Sequence, residues 1–210
     1  MSIHRHLAPL IYAPFKEITW RFSSKENHIY LTFDDGPYPP LTRPMLKYLR
    51  EKNITATFFL SGVNLFKYRH EIGKLNYKPH TLGNHFYYHH PPIGLRRKTI
   101  ERELEHTDML IEKYLKRRTN TFRPPFGIFG YSLLKSLNRM DKKMILWSVM
   151  ANDFKWNSDR ILEHLKTSVR NGDIVVFHDS PKTEGVLLDV LPKFITEFRR
   201  RGYQFRKIDE

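Results

Sequence analysis

Asp34 and Asp35 put adjacent carboxylates at the end of an apolar run, His28-Ile29-Tyr30-Leu31-Thr32-Phe33, that Gly36-Pro37 then stops. The run is rich in β-branched and aromatic residues and reads as a strand with turn chemistry behind it. Adjacent acids at a strand end can divide the labour of a metal site, one binding a cation while the other stays free as a general base. Further ligands must then come from elsewhere in the chain. His85 and His89 are the candidates, and their spacing of four places them on one face if the segment makes a helical turn. Two imidazoles and a carboxylate leave open positions on zinc or a similar divalent ion, as catalysis requires. The chain has no cysteine, so disulfides and thiolate ligands are excluded and any metal sits on His, Asp or Glu.

Such a site needs a scaffold, and 210 residues with 40% hydrophobic content suffice for one substantial core. Apolar β-type runs alternate with helical patterns from Ile29 onward, the sequence form of βα units around a parallel sheet. Strands are expected at 28–33, 55–60, 80–83, 120–123, 144–149, 173–178 and 203–208, and helices at 42–51, 98–116, 131–139, 158–169 and 186–200. Ile100, Leu104, Ile111 and Leu115 form one helical stripe, and Leu187, Leu191, Phe194 and Phe198 another. Pro192 should lie in the first turn of the last helix or kink it. Residues 1–27 have no clear period and are expected as an extension packed on the barrel, with 28–210 as the catalytic domain.

The polar residues fall where these strands end. Asp34 and Asp35 follow the first, His85 and His89 the third, Arg123 ends the fourth, Asp153 follows the fifth and His178 closes the sixth. In a parallel α/β barrel or open sheet those ends share one rim, so the groups can converge there.

With these motifs in place, the chain resembles the polysaccharide deacetylase family, carbohydrate esterase family four or NodB-homology domain, from about Ile29 to Ile208. The carriers are Thr32-Phe33-Asp34-Asp35-Gly36, the segment His85 to His89, Arg123-Pro124-Pro125-Phe126-Gly127 and Val176-Phe177-His178. The resemblance implies an α/β fold, a distorted (β/α) barrel of about seven parallel strands, and metal-dependent removal of N-acetyl groups from an N-acetylglucosamine-containing glycan of peptidoglycan or chitooligosaccharide type. It assigns Asp35, His85 and His89 to the metal, expected to be zinc with cobalt, nickel or manganese as alternatives. It makes Asp34 the base, oriented by Arg123, the Phe126 N–H an oxyanion donor, and His178 the acid.

Departures from the family pattern qualify the mechanism. Met150 stands where the family places the acid that pairs with the catalytic histidine, leaving Asp153 as the candidate replacement and Asp179 as the second. Without such a partner His178 would titrate near its ordinary value of about 6.5 and be a poor starting acid. Phe86 replaces a usual Ser or Thr, Val176 a usual Leu lining the acyl pocket, and Phe154 a usual Trp. Trp156, in a polar loop, is the expected groove aromatic. The alternatives are an amidase on another acylated or cyclic amide, and a carbohydrate-binding pseudoenzyme.

The net charge of +14 favours acidic partners. The basic residues form short groups with no nucleic-acid-binding motif, so no specific nucleic acid is expected. Peripheral contact with an anionic envelope or membrane fits better, with the protein a monomer. No signal-peptide pattern or membrane-length apolar run is recognisable, which makes a non-exported, cytoplasmic protein the default expectation.

Overall fold

The structure, a computed structural model, describes residues 18–23 and 25–209. Its centre is β2 (His28–Asp34), whose apolar residues are covered on both faces as a parallel strand requires. The other strands are β1 (Ile18–Thr19), β3 (Thr57–Leu60), β4 (Thr81–Asn84), β5 (Thr121–Phe122), β6 (Lys143–Ile145), β7 (Val149–Met150), β8 (Ile174–His178) and β9 (Gln204–Arg206). They form one sheet in the order β1-β6-β5-β4-β3-β2-β8-β7, with β9 pairing the start of β2, and every strand pair is parallel. The expected distorted barrel is therefore present, with nine strands among the described residues in place of the seven expected, because β1 joins the sheet and the run 144–149 divides into β6 and β7.

Helices α1 (Pro39–Glu51), α2 (Gly62–Lys67), α3 (Arg97–Leu115), α4 (Tyr131–Arg139), α5 (Ser158–Ser168) and α6 (Glu184–Arg200) pack around the sheet. Pro39 and Pro40 open α1, where a missing N–H costs nothing. On α1, Leu41, Met45, Leu46 and Leu49 are buried, and on α6 Leu187, Leu191, Phe194 and Phe198, so both apolar stripes face the core. Pro192 lies well inside α6 rather than in its first turn.

Three expectations are corrected by the local chemistry. The run 144–149 is not one strand, because the Ile145 and Leu146 carbonyls accept from the Arg123 guanidinium at 3.1 and 3.0 Å. The strand breaks where its acceptors are diverted. His85 and His89 do not lie on a helical turn but in an irregular loop that Phe86 enters with φ 60°. Part of the expected extension belongs to the barrel: Ile18–Thr19 pairs with β6, and residues 21–22 bridge to the start of β8 through Arg21 opposite Asp173 and Phe22 N–H donating to the Gly172 carbonyl. Residues 1–17, the rest of that extension up to β1, lie outside the described residues.

Gly172 makes this seam possible. It has φ 79°, and a Cβ there would collide with the Phe22 carbonyl oxygen, which is backbone and cannot step aside. Gly172→Ala is expected to lower unfolding stability by about 1–3 kcal/mol, the usual cost of overpacking, as read from denaturant midpoints at unchanged m-value.

Candidate active site

Strand register assembles the site. Asp34 on β2 is paired with His178 on β8, so a carboxylate and an imidazole emerge side by side from the C-terminal rim. Asn84 on β4 is paired with Phe122 on β5, which brings His85 and Arg123 together one residue later. Ala151 N–H donates to the Val176 carbonyl as β7 ends, and the chain then carries Asp153 to His178.

Asp35, with φ 75°, turns its carboxylate toward both histidines of the following loop. Its Oδ1 lies 3.5 Å from His85 Nε2 and 3.3 Å from His89 Nε2. Ligand bonds of about 2.0–2.1 Å to a tetrahedral ion subtend edges of about 3.3–3.4 Å, so these separations suit a common divalent centre. The second shell agrees. His85 Nδ1 is 2.8 Å from the Arg123 carbonyl, which can only accept, so Nδ1 carries a proton and Nε2 is the ring nitrogen that faces the cluster. Asp35 Oδ1 is buried without a hydrogen-bond partner, a polar atom that a cation would satisfy. Burial would raise the Asp35 carboxyl, but the histidines at 85, 178 and 89 outweigh it and hold it at about 2. Burial, together with His85, keeps His89 below the ordinary histidine value and so neutral, the form in which imidazole binds a metal.

Beside this cluster Asp34 is buried, and Arg123 Nη1 donates to its Oδ1 at 2.6 Å and to Thr32 Oγ1 at 2.8 Å. Arg123 is itself fully buried, its Nε and Nη2 donating to the Ile145 and Leu146 carbonyls at the end of β6 and its plane lying 4.1 Å from the Phe59 ring centroid. Both partners are thus held in one geometry. Burial lowers the Arg123 pKa, and Asp34 opposes that shift by pairing the buried cation.

Asp153 accepts from two donors of His178: the backbone N–H reaches Oδ2 at 2.7 Å and ring Nδ1 reaches Oδ1 at 2.7 Å. His178 therefore has a carboxylate partner, and the condition under which it would titrate near its ordinary value does not hold. Burial alone would lower it, but Asp153, with smaller contributions from Asp34 and Asp35, raises it to about 9. Asp179 does not share this role. It is buried under Gly36, accepts from Thr42 Oγ1 at 2.6 Å, and is raised to about 7 chiefly by burial.

The remaining expected residues divide. Phe126 lies on the rim with φ 61°, exposed, its ring 4.5 Å from that of His89. Val176 is fully buried in β8 on the same face as His178, two residues earlier. Trp156 is not the aromatic beside the reaction groups: it packs edge-on against His164 of α5 and carries Arg160 on its face. Phe154, 46% exposed, stands edge-on to His178 at 5.1 Å and takes that place. Sequence reasoning missed Glu103 and Asn84, which hold the histidine loop. The available signal was a carboxylate on the buried stripe of α3, between Ile100 and Leu104.

The chain is similar to known proteins in sequence and fold. The family model for polysaccharide deacetylase matches residues 22–145. A peptidoglycan-N-acetylglucosamine deacetylase of Bacillus cereus is 27% identical over 213 residues, covering 100% of this chain and 97% of its own. A chitooligosaccharide deacetylase of Azorhizobium caulinodans is 30% identical over 176 residues, covering 81% and 82%. Among solved structures, a peptidoglycan N-acetylglucosamine deacetylase superposes with a TM-score of 0.89 at 23% identity over 95% of this chain and 94% of its own. A pseudoenzyme of carbohydrate esterase family four from Bacillus anthracis gives 0.82 at 24% identity over 91% and 67%, so these likenesses speak to fold alone. Family match and fold agree, and the chain belongs to the polysaccharide deacetylase family, hydrolases of carbon–nitrogen bonds.

Proposed function

We propose that the protein is a metal-dependent N-deacetylase of an N-acetylglucosamine-containing glycan. The observation that carries this reading is the convergence on one rim of the Asp35–His85–His89 cluster, an Arg123-held Asp34 and an Asp153-held His178. The donor set suits zinc, with cobalt, nickel or manganese as substitutes. When bound, a divalent ion supplies Lewis acidity, lowering the pKa of water from about 15.7 toward about 7 and polarising a carbonyl.

The chain's own groups then divide the reaction. Asp34 takes the proton of the water that attacks the acetyl carbonyl carbon, and Arg123 keeps it aimed through their hydrogen bond. The Phe126 N–H donates to the developing oxyanion. His178 gives its proton to the sugar nitrogen as the carbon–nitrogen bond breaks, releasing acetate and an amine. Asp153 keeps that proton on His178 beforehand.

The exposed rings of Phe126 and Phe154 flank the reaction groups and offer apolar faces to a sugar. The relatives' peptidoglycan and chitooligosaccharide substrates point to the same class, and the +14 charge suits approach to an anionic envelope polymer. No helix among the described residues is long and apolar enough to cross a membrane. A binding-only reading has its motive in Met150, and the Asp153–His178 pair supports the catalytic reading against it.

The test is acetate release from chitooligosaccharides, peptidoglycan fragments and acetylated xylan by metal-stripped protein, before and after zinc or cobalt. Metal-dependent release from an amino-sugar substrate is expected, and none from xylan. Stoichiometric metal with no release from any amino sugar would overturn the reading.

A further inference from the structure

We infer that Glu103 of α3 is a positioning residue for the histidine loop, standing in for the hydroxyl that Phe86 cannot supply; this rests on the reading of Asp35, His85 and His89 as metal ligands. The loop leaves β4 through Phe86 in the left-handed region, which turns the next amides inward together. Successive N–H groups arranged in this way make a concave anion-binding nest. Glu103 fills it. Its Oε2 accepts from Tyr88 N–H at 2.9 Å and Tyr87 N–H at 3.2 Å, and its side chain is only 10% exposed.

The other groups that bond residues 86–87 directly are neutral. Asn84 Oδ1 accepts from Phe86 N–H at 2.9 Å while its Nδ2 donates to the Leu104 carbonyl at 2.9 Å and to Asp108 Oδ1 at 2.7 Å. From the other side, Gly62 and Val63 of α2 donate their N–H groups to the Phe86 and Tyr87 carbonyls at 2.9 Å. Phe86 itself is fully buried against Phe122, so it anchors the loop by packing but offers no polar group. Glu103 is therefore the charged contact that fixes residues 87–88, immediately before His89. His85 is set by Arg123, whereas His89 is more exposed and depends on the loop's path. Loss of Glu103 should displace His89 more than His85.

The experiment is competition for zinc against a chromophoric chelator, at a temperature where circular dichroism shows each protein folded. Glu103→Ala is expected to weaken zinc affinity 10- to 100-fold, the usual cost of losing an outer-shell partner, and Glu103→Gln, which keeps one carbonyl oxygen, to recover most of it. If the alanine variant does not fold, Glu103→Asp, which keeps the charge but withdraws it by a methylene, should show the same weakening. A purely structural Glu103 would lower the melting temperature of metal-free protein and leave zinc affinity of the folded protein at the wild-type value, which would overturn this inference alone. Wild-type protein that binds no zinc would overturn the functional reading together with it.

Discussion

Asp34→Asn is expected to lower kcat/KM by about 10²–10⁴-fold, the range that a general base contributes, while zinc stoichiometry and affinity stay at wild-type values. Asparagine keeps the size of the side chain and can still accept from Arg123 through Oδ1, so the Arg123 plane retains its Thr32 and β6 partners. It cannot take a proton from water. The metal cluster is built on Asp35, whose contacts with His85 and His89 do not pass through Asp34. The change should cost folding stability as well, because Arg123 becomes a fully buried cation facing only neutral acceptors. Activity assays and zinc titration on the same protein separate these effects. Wild-type turnover in Asp34→Asn would sink its assignment as base, and a parallel loss of zinc would mean that Asp34 is itself a ligand.

How much of this was legible in the sequence depended on whether the signal was local. The β2 strand and its acids were readable because an apolar run, a carboxylate pair and Gly36-Pro37 lie within a few residues of one another. The stripes of α3 and α6 were readable for the same reason, since burial follows their period. Long-range chemistry was not. The break between β6 and β7 is caused by Arg123, which no local pattern around 144–149 reveals. The histidine spacing of four suggested a helical turn, yet the loop is held by groups from α2 and α3, and tertiary contacts override that spacing. β1 is only Ile18–Thr19, too short to show a period.

The site residues show the same division. Family motifs placed Asp34, Asp35, His85, His89, Arg123 and His178 at strand ends, and parallel register carried those ends to one rim. The partner of His178 lies in a loop, where sequence position alone left Asp153 and Asp179 open; burial and direction decide it, with Asp179 turned to Thr42. A tryptophan in a polar loop reads as a groove residue, but that loop packs Trp156 against α5 and leaves Phe154 facing His178.

Asp153→Asn tests the part of the site where the chain departs from its family, and its expected signature is a change in pH dependence. His178 has a folded value of about 9 against the ordinary 6.5, so Asp153 keeps it protonated across neutral pH. Asparagine removes the charge and can accept from only one of the two His178 donors, so the imidazole should titrate lower, toward 6.5. A bound divalent ion nearby would lower both proteins' values without reversing the difference. Turnover should therefore fall by about 10²-fold or more near pH 8, where the variant has lost its acid, and the gap should narrow toward pH 6. Stability follows the same sign. A raised histidine pKa favours the folded state fully below about 6.5 and loses that contribution as pH rises through about 9, so wild-type stability should decline across this window and the variant's decline should be smaller. NMR titration of the His178 ring in metal-free protein reads the shift directly. A variant with the wild-type titration and the wild-type pH–rate profile would show that Asp153 does not hold the proton on His178, and the acid would then have to be charged by another group.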